Sequence, residues 1–127
     1  MFKHQIRVPY RDVTAGNHVY YARYLDLLEV ARNEVFRQLG HPLLALQERN
    51  IIFPVVECNL RYHAPARYDD LLEVRTRVSG HSGARLRFEY EVVRDGADLL
   101  ATGFTAHAAV DGRGRPRRLP ATLRSVL

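Results

Sequence analysis

The sequence predicts an α+β domain in which one long helix packs on a curved antiparallel sheet of about five strands. Three observations carry this. Apolar residues recur at spacings of three and four through Tyr21, Leu25, Leu28, Ala31, Val35 and Leu39. Beyond residue 52 the hydrophobic period changes to two. Turn signals then separate the alternating runs.

The elements follow in order. Residues 3–10 read as a first strand, ahead of the polar stretch DVTAGNH from Asp12 to His18. The helical period begins at Tyr21 and runs for roughly five turns, with Gly40 and Pro42 supplying the stop. Ile52, Pro54, Val56, Cys58, Leu60 and Tyr62 alternate with Glu57, Asn59, Arg61 and His63, as a strand with one buried face requires. Leu72, Val74, Thr76 and Val78 set against Glu73, Arg75 and Arg77 give the next strand. Leu86, Phe88, Tyr90 and Val92 set against Arg85, Arg87, Glu89 and Glu91 give another, with Gly80 to Gly83 as the hairpin between them. Asp95-Gly96 is a strong turn signal before a last strand at about 98 to 110. The order is strand, helix, then four consecutive antiparallel strands. So wide an apolar helix face, beside a sheet with open edges, asks for a further partner, most simply a second copy.

Size and composition bound the function. The 127 residues suit a single domain over 1–127, and a hydrophobic fraction of 46% supports a globular core. The only cysteine, Cys58, excludes an internal disulfide; a cytoplasmic protein is expected, with Cys58 as inert core. No apolar run has the length of a signal peptide or a membrane span. The net charge of +5 rests on arginine, with Lys3 the one lysine. It permits nucleic acid, the phosphates of coenzyme A or an acidic carrier protein as partners. Nucleic acid is disfavoured because the arginine-rich segments lack an aromatic platform. The six histidines show no metal-ligand spacing, and no P-loop, dinucleotide fingerprint or nucleophile elbow is present.

Two places could hold chemistry. Arg32 falls about 20° from Tyr21 on a helical wheel, inside the apolar stripe, and a buried charge needs a partner. It is either half of a structural ion pair, with Glu57 as the candidate, or a pocket residue that binds a substrate oxygen. The loop before the helix is the second place. Free N–H groups at a helix N-terminus, with the macrodipole behind them, can hold an oxyanion. Thr14, Asn17 and His18 can add hydrogen bonds there, or can simply shape a turn, and Asp12 reads as a turn-capping carboxylate. The tail RGRPRR, Arg113 to Arg118, is either a solvated basic segment or a phosphate contact.

The segments YRDVTAGNHVYYARYLDLLEVAR, RYHAPARYDDLLEV and VDGRGRPRRLP, in this order over nearly the whole chain, resemble the hotdog-fold thioesterases of the 4-hydroxybenzoyl-CoA thioesterase branch. The resemblance implies a hotdog fold, dimers joined into one continuous sheet, often tetramers, and active sites at the dimer interface. It also implies hydrolysis of an acyl thioester on coenzyme A or on an acyl carrier protein, with no metal or redox cofactor. Asp12 matches the first aspartate of the family's Asp-x-Asp loop, and the glycine position falls on Asn17. The second aspartate, nucleophile or general base in much of the family, falls on Thr14, which excludes carboxylate catalysis from that position. Tyr21 takes the position whose backbone N–H polarises the thioester carbonyl. A polyketide-linked sub-branch that lacks the acid relies on a polar loop residue and a helix arginine, which Arg32 matches in register. The resemblance therefore assigns catalysis to Thr14, Asn17, Tyr21 and Arg32, and substrate binding to Asp12, His18 and the hairpin residues His81 and Arg85. Glu29 or Glu57 could supply a carboxylate. A non-catalytic acyl-binding protein of the same fold is the alternative.

Overall fold

The computed structural model describes all 127 residues. Strand β1 (Phe2–Arg7) leads through a 3-10 turn at Tyr10–Asp12 into a small ribbon, β2 (Val13–Thr14) and β3 (His18–Val19). Helix α1 (Arg23–Gln38) and the short α2 (Leu43–Glu48) follow. Then come β4 (Val55–Tyr62), β5 (Leu71–Ser82), β6 (Arg85–Arg94), β7 (Asp98–Ala108) and a C-terminal turn of helix, α3 (Ala121–Arg124).

The main sheet has the order β1-β5-β6-β7-β4, all antiparallel. The four later strands are consecutive in sequence, as expected, but not in space: β4 crosses to the far edge and pairs with β7. The expected first strand ends early because Val8 turns away to donate to the Asp70 carbonyl at 2.9 Å, ahead of Pro9. The expected second strand starts late, Ile52 making only an isolated bridge to Val110. The ribbon, α2 and α3 lack a long enough hydrophobic period to be read from sequence.

Helix α1 ends where Gly40 predicts. Gly40, at φ +83°, donates to the Arg37 carbonyl and His41 donates to that of Phe36, satisfying two terminal carbonyls at once. Its buried face consists of Tyr24, Leu27, Leu28, Ala31, Val35 and Phe36, packed on Leu72, Val74, Leu86, Phe88 and Val92 of β5 and β6. Each buried Leu, Val or Phe here contributes about 1.5–3 kcal/mol of apolar transfer. The stripe is thus rotated from the expected one: Tyr21 and Leu25 are exposed. Both lie on the flank of α1 towards β4, an edge strand with no neighbour on its outer side.

Gly103 of β7 sets how closely β4 can approach. A Cβ there would stand 2.2 Å from the Asn59 carbonyl oxygen of β4, a backbone atom that cannot swing aside. Gly103→Ala should therefore destabilise the protein by about 1–3 kcal/mol, read as a lower urea midpoint.

Candidate active site

The loop between β1 and α1 is built from short-range turns. Ala15, Gly16 and Asn17 close the ribbon, with Gly16 at φ +88° and Asn17 at φ +59°, a conformation asparagine tolerates better than most residues. The ribbon is clamped to the segment before β5. Val19 donates to the Ala66 carbonyl, and the Tyr68 N–H donates to Asn17 Oδ1, each at 2.9 Å. Tyr10 packs edge-on against Tyr68. Thr14 and Asn17 line an open cavity of about 470 Å³ together with these two tyrosines.

Within this frame the expected residues take different roles. The Thr14 hydroxyl donates to the His18 carbonyl at 3.2 Å, which leaves its oxygen free to accept. Asn17 shapes the turn and binds backbone. His18 is exposed opposite Thr14 in the ribbon. The Asp12 side chain is largely covered and lies 3.7 Å from Arg11 and 3.9 Å from Arg23, so it is tied up in ion pairs. Its carbonyl accepts from the Tyr20 N–H at 3.0 Å. The next N–H, that of Tyr21, donates to no protein group, while the Tyr21 carbonyl is held by the Tyr62 hydroxyl at 2.8 Å. A free amide thus stands at the N-terminus of a sixteen-residue helix; its own peptide is held through the Tyr20 carbonyl, which accepts from the Arg23 N–H at 2.9 Å, and the next peptide is held by Tyr62.

Arg32 does not join this loop within one chain. Eleven residues separate it from Tyr21, about 16 Å along a helix axis. With Glu29 it lines two further cavities of about 320 and 330 Å³, bordered by Leu25, Val55, Cys58 and Thr105 on one side and by Phe36, Ile52 and Phe53 on the other. It makes no ion pair. The expected pairing with Glu57 fails because Glu57 stands opposite Ala106 on the outward face of the sheet, whereas Cys58, opposite Thr105, faces inward. Cys58 is exposed rather than core, since β4 is an edge strand that no element of the chain covers.

Arg32 instead begins a chain of hydrogen bonds that sequence reasoning missed. Its Nη1 donates to the Tyr90 hydroxyl at 3.2 Å. Tyr90 Oη lies 2.6 Å from Thr105 Oγ1, which lies 2.8 Å from His107 Nε2, and His107 Nδ1 lies 3.0 Å from the Phe53 carbonyl. The ends dictate the direction. A guanidinium can only donate and a carbonyl can only accept, so Tyr90 donates to Thr105, Thr105 to His107 Nε2, and His107 Nδ1 to Phe53. Every polar atom is satisfied only if His107 is neutral. Burial pushes its pKa down to about 4, and Arg32 adds to the fall, although the Phe53 carbonyl opposes it. Burial likewise raises that of Tyr90, against the influence of Arg32 and Thr105. The signal available in sequence was a histidine and a threonine in the inward register of the last strand.

His81 and Arg85 lie at the tip of the β5–β6 hairpin. Ten residues of β5 separate Leu71, beside the loop, from His81, about 33 Å in a strand. One chain does not bring them to the loop. No group of three or more His, Cys, Asp or Glu side chains converges as a metal site, and no helix is long and apolar enough to cross a membrane.

With this geometry established, four likenesses stand out. A family model described as the thioesterase-like superfamily matches residues 8–127. The acyl-CoA thioester hydrolase YbgC of Escherichia coli is 34% identical over 97% of this chain and 92% of its own. The acyl-CoA thioesterase YbgC of Haemophilus influenzae is 37% identical over 94% and 88%. A solved structure of a hypothetical protein from Thermus thermophilus, 35% identical, superposes with a TM-score of 0.93 over 99% of this chain and 97% of that one.

The neutral state of His107 has a consequence for stability. The folded pKa lies below the unfolded value of 6.5, so on acidification the unfolded chain takes up the proton first. The contribution is complete above pH 6.5, is lost as pH falls towards 4, and changes no further below that. The loss should be about 3 kcal/mol, measured as unfolding free energy against pH, and His107→Gln should remove this part of the slope.

Proposed function

The chain belongs to the thioesterase-like superfamily, and on that premise we propose that it is an acyl-CoA thioester hydrolase with its carbonyl site at the Tyr21 N–H. The free Tyr21 amide is the observation that carries this reading. The thioester oxygen accepts from that N–H, and the positive end of α1 stabilises the oxyanion as water adds to the carbonyl. Collapse of the tetrahedral intermediate breaks the C–S bond, and the departing thiolate takes up the proton given off by the attacking water, leaving the free acid and the coenzyme A thiol. Thr14 stands where the 4-hydroxybenzoyl-CoA thioesterase branch carries its second aspartate. Its oxygen can hold the attacking water by accepting a hydrogen bond, but it cannot act as a base near neutral pH. The reaction we propose needs no metal or redox cofactor.

The active unit in this proposal is a homodimer in the cytoplasm, with pairs of dimers forming tetramers. Tyr21, Leu25, Val55, Val56 and Tyr62 are all exposed along the flank of α1 and the open edge of β4, an apolar strip that a second copy would bury. Antiparallel pairing of β4 with its own copy sets the Tyr62 end of one protomer against the Val55 end of the other. The same two-fold brings the Arg32 and Glu29 half of one α1 towards the Tyr21 end of its partner. Each site then combines Thr14, Asn17 and the Tyr21 amide from one protomer with Arg32 from the other, which removes the 16 Å gap.

Thiol release from a panel of acyl-CoAs tests the activity. Arg32→Ala should lower kcat about a hundredfold, and Thr14→Ala should lower it as well. Background release across the whole panel would instead mark a non-catalytic acyl-binding protein, and full activity in Thr14→Ala would remove the loop from the site. The shared site makes a sharper prediction. Mixing and reannealing Arg32→Ala with Thr14→Ala subunits leaves one intact site in each heterodimer, so activity should recover to about a quarter of wild type. No recovery would put both residues in one protomer's site.

A further inference from the structure

Arg32 leaves an available anion unused. Glu29 stands three residues earlier on α1, borders the same two cavities, is exposed, and enters no ion pair. A glutamate at that spacing before an arginine is its ordinary partner on a helix. The Arg32 guanidinium instead reaches across to the sheet and donates to the Tyr90 hydroxyl.

The groups behind Tyr90 account for this choice. Tyr90, Thr105 and His107 are at most 2% exposed. Tyr90 and Phe88 alternate on β6, Thr105 and His107 on β7, and the strand register sets Phe88 opposite Thr105 and Leu86 opposite His107. Phe88 lies against both rings, stacked on Tyr90 at 6.4 Å and edge to face with His107 at 5.6 Å. The sheet and one aromatic ring therefore fix every link, and none of them belongs to a loop. With the Tyr90 proton committed to Thr105, and that of Thr105 to His107, the Tyr90 oxygen has only acceptor capacity left for α1. Glu29 is solvated, so pairing with it offers Arg32 little while this acceptor is present.

We infer that Tyr90, Thr105 and His107 are positioning residues for catalysis, which hold Arg32 off Glu29 so that its guanidinium faces the cavities with its charge uncancelled. The inference rests on the acyl-CoA reading and on the shared dimer site proposed above, in which Arg32 serves the thioester held by the other protomer's Tyr21 amide. Cutting the chain leaves a half-buried guanidinium without its acceptor. The nearest anion is then Glu29, on the same helix. An arginine paired with Glu29 gives much less stabilisation to a developing oxyanion. Because that charge develops only in the transition state, the loss falls on kcat rather than on KM.

Tyr90→Phe removes one oxygen and keeps the ring on Phe88. It should lower kcat about tenfold with KM nearly unchanged. The loss should vanish in an Arg32→Ala background, where no guanidinium remains to be positioned. Glu29→Gln should rescue it: measured against Glu29→Gln alone, Tyr90→Phe should cost less than about threefold. Thr105→Val cuts the chain one link further on and should repeat the pattern with a smaller loss. A crystal structure of Tyr90→Phe needs no turnover and should show the Arg32 guanidinium on the Glu29 carboxylate. Wild-type kcat in Tyr90→Phe, equal losses with and without Arg32, or an unmoved guanidinium in that crystal structure overturns the inference and leaves the thioesterase reading standing. If the wild-type protein turns over no thioester, that reading falls instead, and the crystal structure alone decides whether the chain holds Arg32 off Glu29.

Discussion

The pairing of β4 with β7, rather than with its successor β5, is the constraint on which the rest of the molecule depends. It leaves β4 on an open edge, with its inward residues Cys58, Leu60 and Tyr62 opposite Thr105, Gly103 and Ala101. The Asn59 carbonyl of β4 can come this close to β7 only because Gly103 has no side chain. Through this pairing Tyr62 reaches the Tyr21 carbonyl, and the Phe53 carbonyl, just before β4, comes within reach of His107 on β7. Both the pinned peptide at the helix N-terminus and the far end of the Arg32 chain follow from one choice of neighbour.

Most of the fold was legible in the sequence because periodicity reports burial, and burial is what an α+β domain organises. The helix, its glycine stop and the strands β5, β6 and β7 lie close to where their patterns put them. Misplacements concentrate on one edge. Tyr21, Leu25 and Cys58 read as interior and are exposed in a single chain, and all belong to the strip that the proposed dimer would cover. A hydrophobic pattern records the burial that selection acted on, including burial against a second copy, so these residues are informative where they disagree with one protomer. The site was less legible. Thr14, Asn17 and Tyr21 share a loop in sequence as in space, but the link from Arg32 through Tyr90 and Thr105 to His107 joins residues up to seventy-five positions apart, and no local spacing announces it.

That chain explains how a half-buried arginine is tolerated without a carboxylate. A full ion pair would offset desolvation with a formal counter-charge. Here the Tyr90 hydroxyl accepts one guanidinium hydrogen bond, and each following dipole is aligned to the next, ending on a carbonyl. Aligned dipoles polarise one another, so the chain holds the arginine more firmly than a lone hydroxyl would. The same arrangement leaves the guanidinium's charge without an ion-pair partner, since Arg32 pairs with no carboxylate of the chain. Replacing Tyr90 by Phe would keep the packing against Phe88 and remove the acceptor, leaving Arg32 free to move.

An arginine without an ion-pair partner suits the proposed site, where position 14 is threonine and the one loop acid, Asp12, is tied up by Arg11 and Arg23. A carboxylate at position 14 would supply negative charge to activate water or to attack the carbonyl itself. Threonine supplies neither, so in the proposed reaction lowering the barrier falls to groups that stabilise the oxyanion and the departing thiolate. The Tyr21 amide and the helix dipole act on the first, and a fixed cation from the partner can act on either. Such a site relies on geometry more than on proton transfer. Its pH dependence should then follow the integrity of the Arg32 chain, and hence the neutral state of His107, rather than the titration of a catalytic carboxylate.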